Sequence, residues 1–266
     1  MDNSSTRPLA VVTGASSGIG HELAKQFAQN GFDLVVASTG PSINEAAQAF
    51  ERLGANVQTV QADLATYDGV ETLYNQIKAT GRPVDAIAIN AGVGVGGPFT
   101  DTDLQEELNL IELNVASTVH LAKRVVKDMV DRGSGKVLFT SSIASQAPQP
   151  FQAVYAASKS FIQSFSEAIR NELKDTGVTI TALMPGATET NFFHRAGLDD
   201  TKVGADKKDD PAEVAKQGFE ALMAGKDSTL AESLKTKIQG AVSQFLPDTA
   251  TAEMNRKLNE PGSANK

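Results

Sequence analysis

Tyr155 and Lys159 stand four residues apart in the run Tyr-Ala-Ala-Ser-Lys, within a stretch of helical period. On a helix that spacing stacks the two side chains about one turn apart on one face. A phenol with an ordinary pKa of about 10 is a poor base at neutral pH, and a neighbouring ammonium favours its phenolate. The pair is therefore a candidate for exchanging a proton with a substrate oxygen. Such pairs are also common on helix surfaces, so the chemistry depends on what the chain places beside them.

A second group is Thr13-Gly14-Ala15-Ser16-Ser17-Gly18-Ile19-Gly20, which follows an apolar run of strand length and opens a helical stretch. Glycines there allow a tight turn and let backbone N–H groups approach a pyrophosphate at a helix N-terminus. Gly14, Ser16, Ser17, Gly18, Ile19 and Gly20 are the candidate phosphate-binding residues. A carboxylate closing the second strand would bind the ribose of NAD. This chain instead carries Ser38-Thr39-Gly40-Pro41-Ser42, with no acid before Glu45. Hydroxyls beside a helix start suit a 2′-phosphate and favour NADP, while the lack of Arg or Lys in the turn keeps NAD open. Asp63 is a candidate adenine contact or a plain turn cap. Asn90, Ala91 and Gly92 close a fourth strand where the chain would pass under a cofactor.

The elements that must position these residues are legible in the apolar pattern. Runs at 9–13, 33–38, 56–61, 86–90, 136–140 and 178–184 alternate with helical stretches, as expected of βαβ units. Val35-Val36-Ala37 and Ala86-Ile87-Ala88-Ile89 are apolar at consecutive positions, which suits strands covered on both faces. The pattern predicts an α/β fold, a doubly wound parallel sheet of Rossmann type flanked by helices, with a helical C-terminal extension. Long helices without proline are expected over 104–132 and 152–176, and a further one from Pro211 to about 224. A short strand is expected at 228–231, an amphipathic helix at 236–246, and an unstructured tail from Glu260. No linker divides the chain, so residues 1–266 are read as one domain: a core over 7–190, a substrate lid and helix over 187–225, and an extension over 226–266.

Composition removes whole classes of function. The chain of 266 residues has no Cys, which excludes disulfide frameworks, zinc-thiolate sites, iron–sulfur clusters and thiol nucleophiles. No metal site is expected. A net charge of −8 argues against nucleic-acid binding. Met1 to Arg7 is polar and the following apolar run is too short for a signal peptide or membrane span. A cytoplasmic protein with no membrane partner is expected.

In order along the chain, the glycine turn, Asp63, Asn90-Ala91-Gly92, Asn114, Ser141-Ser142, Tyr155 with Lys159, and Pro185-Gly186 followed by Thr190 resemble the short-chain dehydrogenase/reductases. The resemblance covers about 7–190, with a weaker echo to Gly225. It implies that Tyr155 is the general acid/base and that Ser142, with Ser141 as the alternative, bonds the substrate oxygen. It implies that Lys159 binds the nicotinamide ribose and lowers the Tyr155 pKa, and that Asn114 holds a backbone irregularity and a water linking Lys159 to solvent. Pro185, Gly186, Thr188 and Thr190 would position the nicotinamide carboxamide. The family's usual last strand ending in Gly-Gly is absent, so its usual tetramer is not assumed; a homodimer or homotetramer is expected.

The substrate walls would come from 93–99, 143–151 and 187–198, with Val93, Ile143, Phe151, Phe192 and Phe193 as contacts. They are mostly small and apolar, which points to an uncharged ketone or secondary alcohol and to a carbonyl reductase. His194 and Arg195 could grip a carboxylate or phosphate, but adjacent charges in such a segment are more often solvated, and they are read so. An NAD-dependent alcohol or hydroxysteroid dehydrogenase is the alternative. A nicotinamide-binding sensor without turnover predicts a damaged catalytic set, whereas Asn114, Ser142, Tyr155 and Lys159 are all present.

Overall fold

The structure is a computed structural model describing residues 7–231 and 247–264. Seven parallel strands form one sheet: β1 (Leu9–Thr13), β2 (Asp33–Ser38), β3 (Val57–Gln61), β4 (Ala86–Ile89), β5 (Gly135–Thr140), β6 (Val178–Pro185) and β7 (Ser228–Ala231). Their spatial order is β3-β2-β1-β4-β5-β6-β7. The chain builds outward from β1 in one direction, then returns to β4 and builds in the other. That reversal leaves a crevice at the carboxyl ends of β1 and β4, the place where open α/β sheets bind ligands.

Alternate residues of a strand face opposite sides of the sheet, and here both sides are covered. Ala10, Val12, Leu34, Val36, Ala86 and Ala88 pack on one side with Leu23, Phe27, Phe50 and Phe219. These come from α1 (Gly18–Gln29), α2 (Ser42–Glu51) and α9 (Pro211–Met223). Val11, Val35, Ile87, Val137 and Phe139 pack on the other side with Leu73, Leu121 and Ile162. Those belong to α3 (Tyr67–Ala79), α5 (Ser117–Arg132) and α6 (Ala153–Glu172). Each fully buried large side chain contributes about 1.5–3 kcal/mol, which makes the sheet a rigid base for the loops at its carboxyl edge.

The long helical stretch at 104–132 is divided into α4 (Leu104–Ile111), a π-helical turn at Glu112–Ala116, and α5, and the turn is a backbone irregularity at Asn114 of the kind the resemblance implied. The widened turn rotates Asn114 inward, and the Thr118 and Ser117 hydroxyls donate to the Asn114 and Leu113 carbonyls at 2.8 and 2.9 Å. A π turn costs backbone geometry and is commonly kept for function. Residues 260–264, expected to be unstructured, are docked. Ser263 is buried and its hydroxyl accepts from the Lys202 N–H at 2.8 Å, while the Ala264 N–H donates to the Asp200 carbonyl at 3.0 Å. They follow a helix that composition did not announce, α10 (Asp248–Asn259). The helix expected at 236–246 lies outside the described residues. Two short helices, α7 (Phe192–Arg195) and α8 (Lys202–Ala205), lie between β6 and α9. Among the described residues no helix is long and apolar enough to cross a membrane.

Candidate active site

The turn between β1 and α1 folds tightly back on itself. Gly14 has φ +68°, and a Cβ on Gly20 would lie 2.3 Å from the Gly14 carbonyl oxygen and 2.5 Å from Asn90 Nδ2. Side chains at these points would push the turn open. The Thr13 hydroxyl accepts from the Asn90 and Ala91 N–H groups at 2.9 and 3.0 Å, and the Thr140 hydroxyl donates to Asn90 Oδ1 at 3.1 Å. The ends of β1, β4 and β5 are thus tied together around Asn90.

A cavity of about 440 Å³ runs along this edge. Ser38, Thr39, Ala62 and Leu64 line one end, and Gly14, Ser16, Ser17, Gly18, Ile19 and Gly20 line the middle with Asn90, Ala91, Gly92 and Val93. Ser142, Ile143, Tyr155, Lys159, Pro185, Gly186, Thr188, Thr190, Phe192 and Phe193 line the other end. Ser38 donates to the Ser16 hydroxyl at 3.0 Å, so the β2 end and the glycine turn present their hydroxyls together. No Lys, Arg, Asp or Glu is among the described lining residues at the Ser38 end.

Two expected contacts fall elsewhere. Asp63 does not line the cavity, and its carboxylate accepts from the Ala65 N–H at 3.0 Å, closing the turn that leads into α3. Phe151 is also outside the lining. It has φ +65°, an uncommon conformation for a bulky residue, and the Arg256 guanidinium stands 5.1 Å from its ring centroid.

At the reactive end, Tyr155 and Lys159 lie on α6, and Lys159 Nζ stands 5.8 Å from the Tyr155 ring centroid. Lys159 is only 6% exposed and donates to the Thr140 carbonyl at 2.9 Å. Ser141 turns its hydroxyl to the Lys159 carbonyl at 3.2 Å. Ser142 caps a short 3₁₀ turn, Ile143–Gln146, by accepting from the Ala144 N–H at 3.1 Å, so its own proton remains available. Of the two serines, Ser142 is the one with a hydroxyl proton to give.

Burial sets the protonation states. It pushes the Tyr155 phenol up to about 12, with the neighbouring Ser142 hydroxyl pulling the other way. It pushes the Lys159 ammonium down to about 8. The net shift of Tyr155 is upward because desolvation of its phenolate is the largest cause. At neutral pH the pair is a phenol beside an ammonium.

Asn114 is 1% exposed, contrary to a polar residue facing solvent. The Val93 N–H donates to its Oδ1 at 3.0 Å, while its Nδ2 donates to the Val93 carbonyl at 2.9 Å and to the Ser158 hydroxyl at 3.1 Å. It acts as a surrogate strand partner for the loop that follows β4. Asn114 Oδ1 and Lys159 Nζ also converge on Gly92, lying 3.0 and 3.4 Å from where its Cβ would be. Asn114→Ala strands the two partly buried backbone groups of Val93, each costing about 1–3 kcal/mol. A fall of about 2–4 kcal/mol in unfolding free energy by urea titration is the expected result; a loss below about 0.5 kcal/mol would contradict this role.

The sequence did not single out Gln149, Gln152, Thr251, Met254, Asn255, Leu258 and Asn259, which also line the cavity. Positions 251, 254, 255 and 258 have helical spacing, the one signal that pointed to a buried face. Arg195 lines the cavity as well, whereas His194 pairs with Asp199 at 2.7 Å in solvent.

The sequence model described as short chain dehydrogenase matches residues 8–201. The chain belongs to the short-chain dehydrogenase family. Among relatives of this short-chain dehydrogenase is the uncharacterized oxidoreductase YmfI of Bacillus subtilis, 32% identical over 190 residues, covering 70% of this chain and 77% of that one. The very-long-chain 3-oxoacyl-CoA reductase of Mycosarcoma maydis is 36% identical over 179 residues, 65% of this chain and about half (51%) of that one. Among solved structures, a short-chain dehydrogenase from Sphingobium yanoikuyae in complex with NADPH superposes with a TM-score of 0.79 at 26% identity, covering 90% of this chain and 96% of that one.

Proposed function

We propose that this short-chain dehydrogenase is a carbonyl reductase that converts an uncharged, largely apolar ketone to a secondary alcohol with NADPH. The observation that carries this reading is the reactive end of the cavity, where a protonated Tyr155, a Ser142 hydroxyl hydrogen-bonded to it and the Lys159 ammonium stand beside Ile143 and Phe192.

The chain fits a nicotinamide dinucleotide. The glycine cradle has no room for a Cβ at Gly20, and the first-turn N–H groups of α1, which no helix carbonyl can satisfy, open into the cavity. Ser16, Ser38 and Thr39 would hold the adenine ribose and its 2′-phosphate. Asn90, Ala91 and Gly92 would lie under the cofactor, with Lys159 on the nicotinamide ribose and Pro185, Gly186, Thr188 and Thr190 around the carboxamide. The bound cofactor supplies the hydride that adds to the carbonyl carbon. Ser142 donates to the carbonyl oxygen and fixes its position. Tyr155 gives that oxygen its proton, and Lys159 stabilises the phenolate left behind. Val93, Ile143, Phe192 and Phe193 exclude water from the reacting atoms. The relative solved with NADPH supports the choice of cofactor.

One observation favours a second reading, an NAD-dependent alcohol dehydrogenase: no cation lines the Ser38 end. Fluorescence titration separates the two, with tighter binding of NADPH than NADH expected. Ser38→Asp sets a carboxylate against a 2′-phosphate and weakens NADPH at least about tenfold while sparing NADH. Equal binding of both cofactors by the unaltered chain would transfer the assignment to NAD.

A further inference from the structure

Helix α10 lies beyond the stretch matched by the family model, 8–201, yet it borders the same cavity as Ser142 and Tyr155. Thr251, Met254, Asn255 and Leu258 line that cavity. Their i, i+3, i+4, i+7 spacing makes them one helix face. Thr251 is buried at the inner part of this face, and Met254, 43% exposed, stands at the rim. Glu253, Arg256 and Lys257 occupy the solvent side.

The helix is fastened to both walls it spans. Toward the loop after β5, Asn255 Nδ2 donates to the Pro148 carbonyl at 2.9 Å. Asn259 Nδ2 donates to Gln149 Oε1 at 3.0 Å and to the Pro150 carbonyl at 3.2 Å. Arg256 covers the Phe151 ring from outside. Toward the lid, Gly262, Ser263 and Ala264 bond Asp200 and Lys202. Side-chain amides thus satisfy the exposed carbonyls of the proline-stiffened loop, while the thioether of Met254 and the isobutyl group of Leu258 are left facing the cavity. Anchoring and lining are carried by different atoms, an arrangement that gives a wall of fixed position and apolar surface.

We propose that α10 is a substrate-selecting wall, in which Met254 and Leu258 receive the alkyl arm of a ketone whose carbonyl is held by Ser142 and Tyr155. The inference rests on the carbonyl-reductase reading and deepens it: the enzyme sorts ketones by the length of the arm opposite the reacting carbon. An apolar pocket contact is worth roughly 10–200-fold in kcat/KM per methylene group gained or lost, so a few contacts on α10 are sufficient for the sorting.

The test is a series of methyl ketones of increasing alkyl length, followed by NADPH oxidation with the full chain. Alongside it, calorimetry measures binding of the matching secondary alcohols to the NADP⁺-loaded protein. The expected result is that kcat/KM rises with arm length, and that Met254→Asp, at the exposed rim, lowers the long-over-short ratio at least about tenfold with parallel loss of long-alcohol affinity. Leu258→Ala, which needs no new charge, shifts the same ratio in the same direction by a smaller factor. A uniform effect of both substitutions along the series, in turnover and in binding, overturns the wall and leaves the reductase reading intact. Alcohol binding that depends on Met254, with no ketone reduced, overturns the reductase reading and leaves the wall. Neither binding nor turnover of any member overturns both.

Discussion

Tyr155→Phe lowers kcat for ketone reduction by about 10³-fold while NADPH affinity stays within about twofold of the unaltered chain. The substitution removes one oxygen and nothing else from a ring that packs on Phe192, with ring centroids 5.1 Å apart. Binding energy from the glycine turn and the β2 end is untouched. The proton that must reach the carbonyl oxygen no longer has a donor at the correct position. Burial holds the Tyr155 pKa at about 12, so the phenol is in its donating form across the neutral range. Stopped-flow NADPH fluorescence for affinity and steady-state oxidation for kcat separate the two effects. A variant that keeps most of its turnover would remove Tyr155 from the mechanism.

Lys159→Met makes a second and less intuitive prediction: activity falls about 10²-fold or more, yet the protein becomes more stable near pH 7. The lysine pKa is pushed from 10.5 to about 8 by burial. Between those values the unfolded chain binds more protons than the folded one, so stability rises with pH across that window. Below about pH 8 the full penalty of the buried ammonium applies, on the order of 3 kcal/mol for a pKa lowered from 10.5 to about 8. Methionine removes the charge at similar volume and gives up a charged hydrogen bond to Thr140, worth about 1.5–3 kcal/mol. A net gain of up to about 1.5 kcal/mol near neutrality is expected, together with loss of the stability slope between pH 8 and 10.5. The Tyr155 contribution has the opposite sign, falling between its ordinary 10 and about 12. The same ammonium is needed to stabilise the phenolate, so reduction by the unaltered enzyme slows as pH rises through about 8. Urea titrations of both proteins at pH 7 and pH 10 check this, and an identical slope in the two would refute it.

The sheet was legible because its evidence is local. Val35-Val36-Ala37 and Ala86-Ile87-Ala88-Ile89 have no polar side to offer water, and the strands fall where those runs are. Ser228–Ala231 is a strand, as the pattern indicated, and the structure pairs it with β6. The reactive end was legible for the same reason, since Tyr155 and Lys159 are fixed by one helical turn. What the sequence hid depends on distant partners. Asn114 interrupts no periodicity, so its irregularity was legible only through the family resemblance, and its partners Val93 and Ser158 lie across the fold. The sequence left open Asp63 as cap or contact, and in the structure its carboxylate accepts from the Ala65 N–H as a cap does. Phe151 reads as a wall residue by type, but its positive φ turns it toward Arg256. Helix α10 has only Met254 and Leu258 as large apolar residues on its inner face, too few to announce a buried side.

The hydrogen bonds of α10 to the loop after β5 connect residues 107, 109 and 110 positions apart in sequence. During synthesis every strand of the sheet and the whole glycine turn emerge before Asn255 and Asn259. Because domains generally fold as units, closure of the cavity on this side waits for Asn255 and Asn259 to be made.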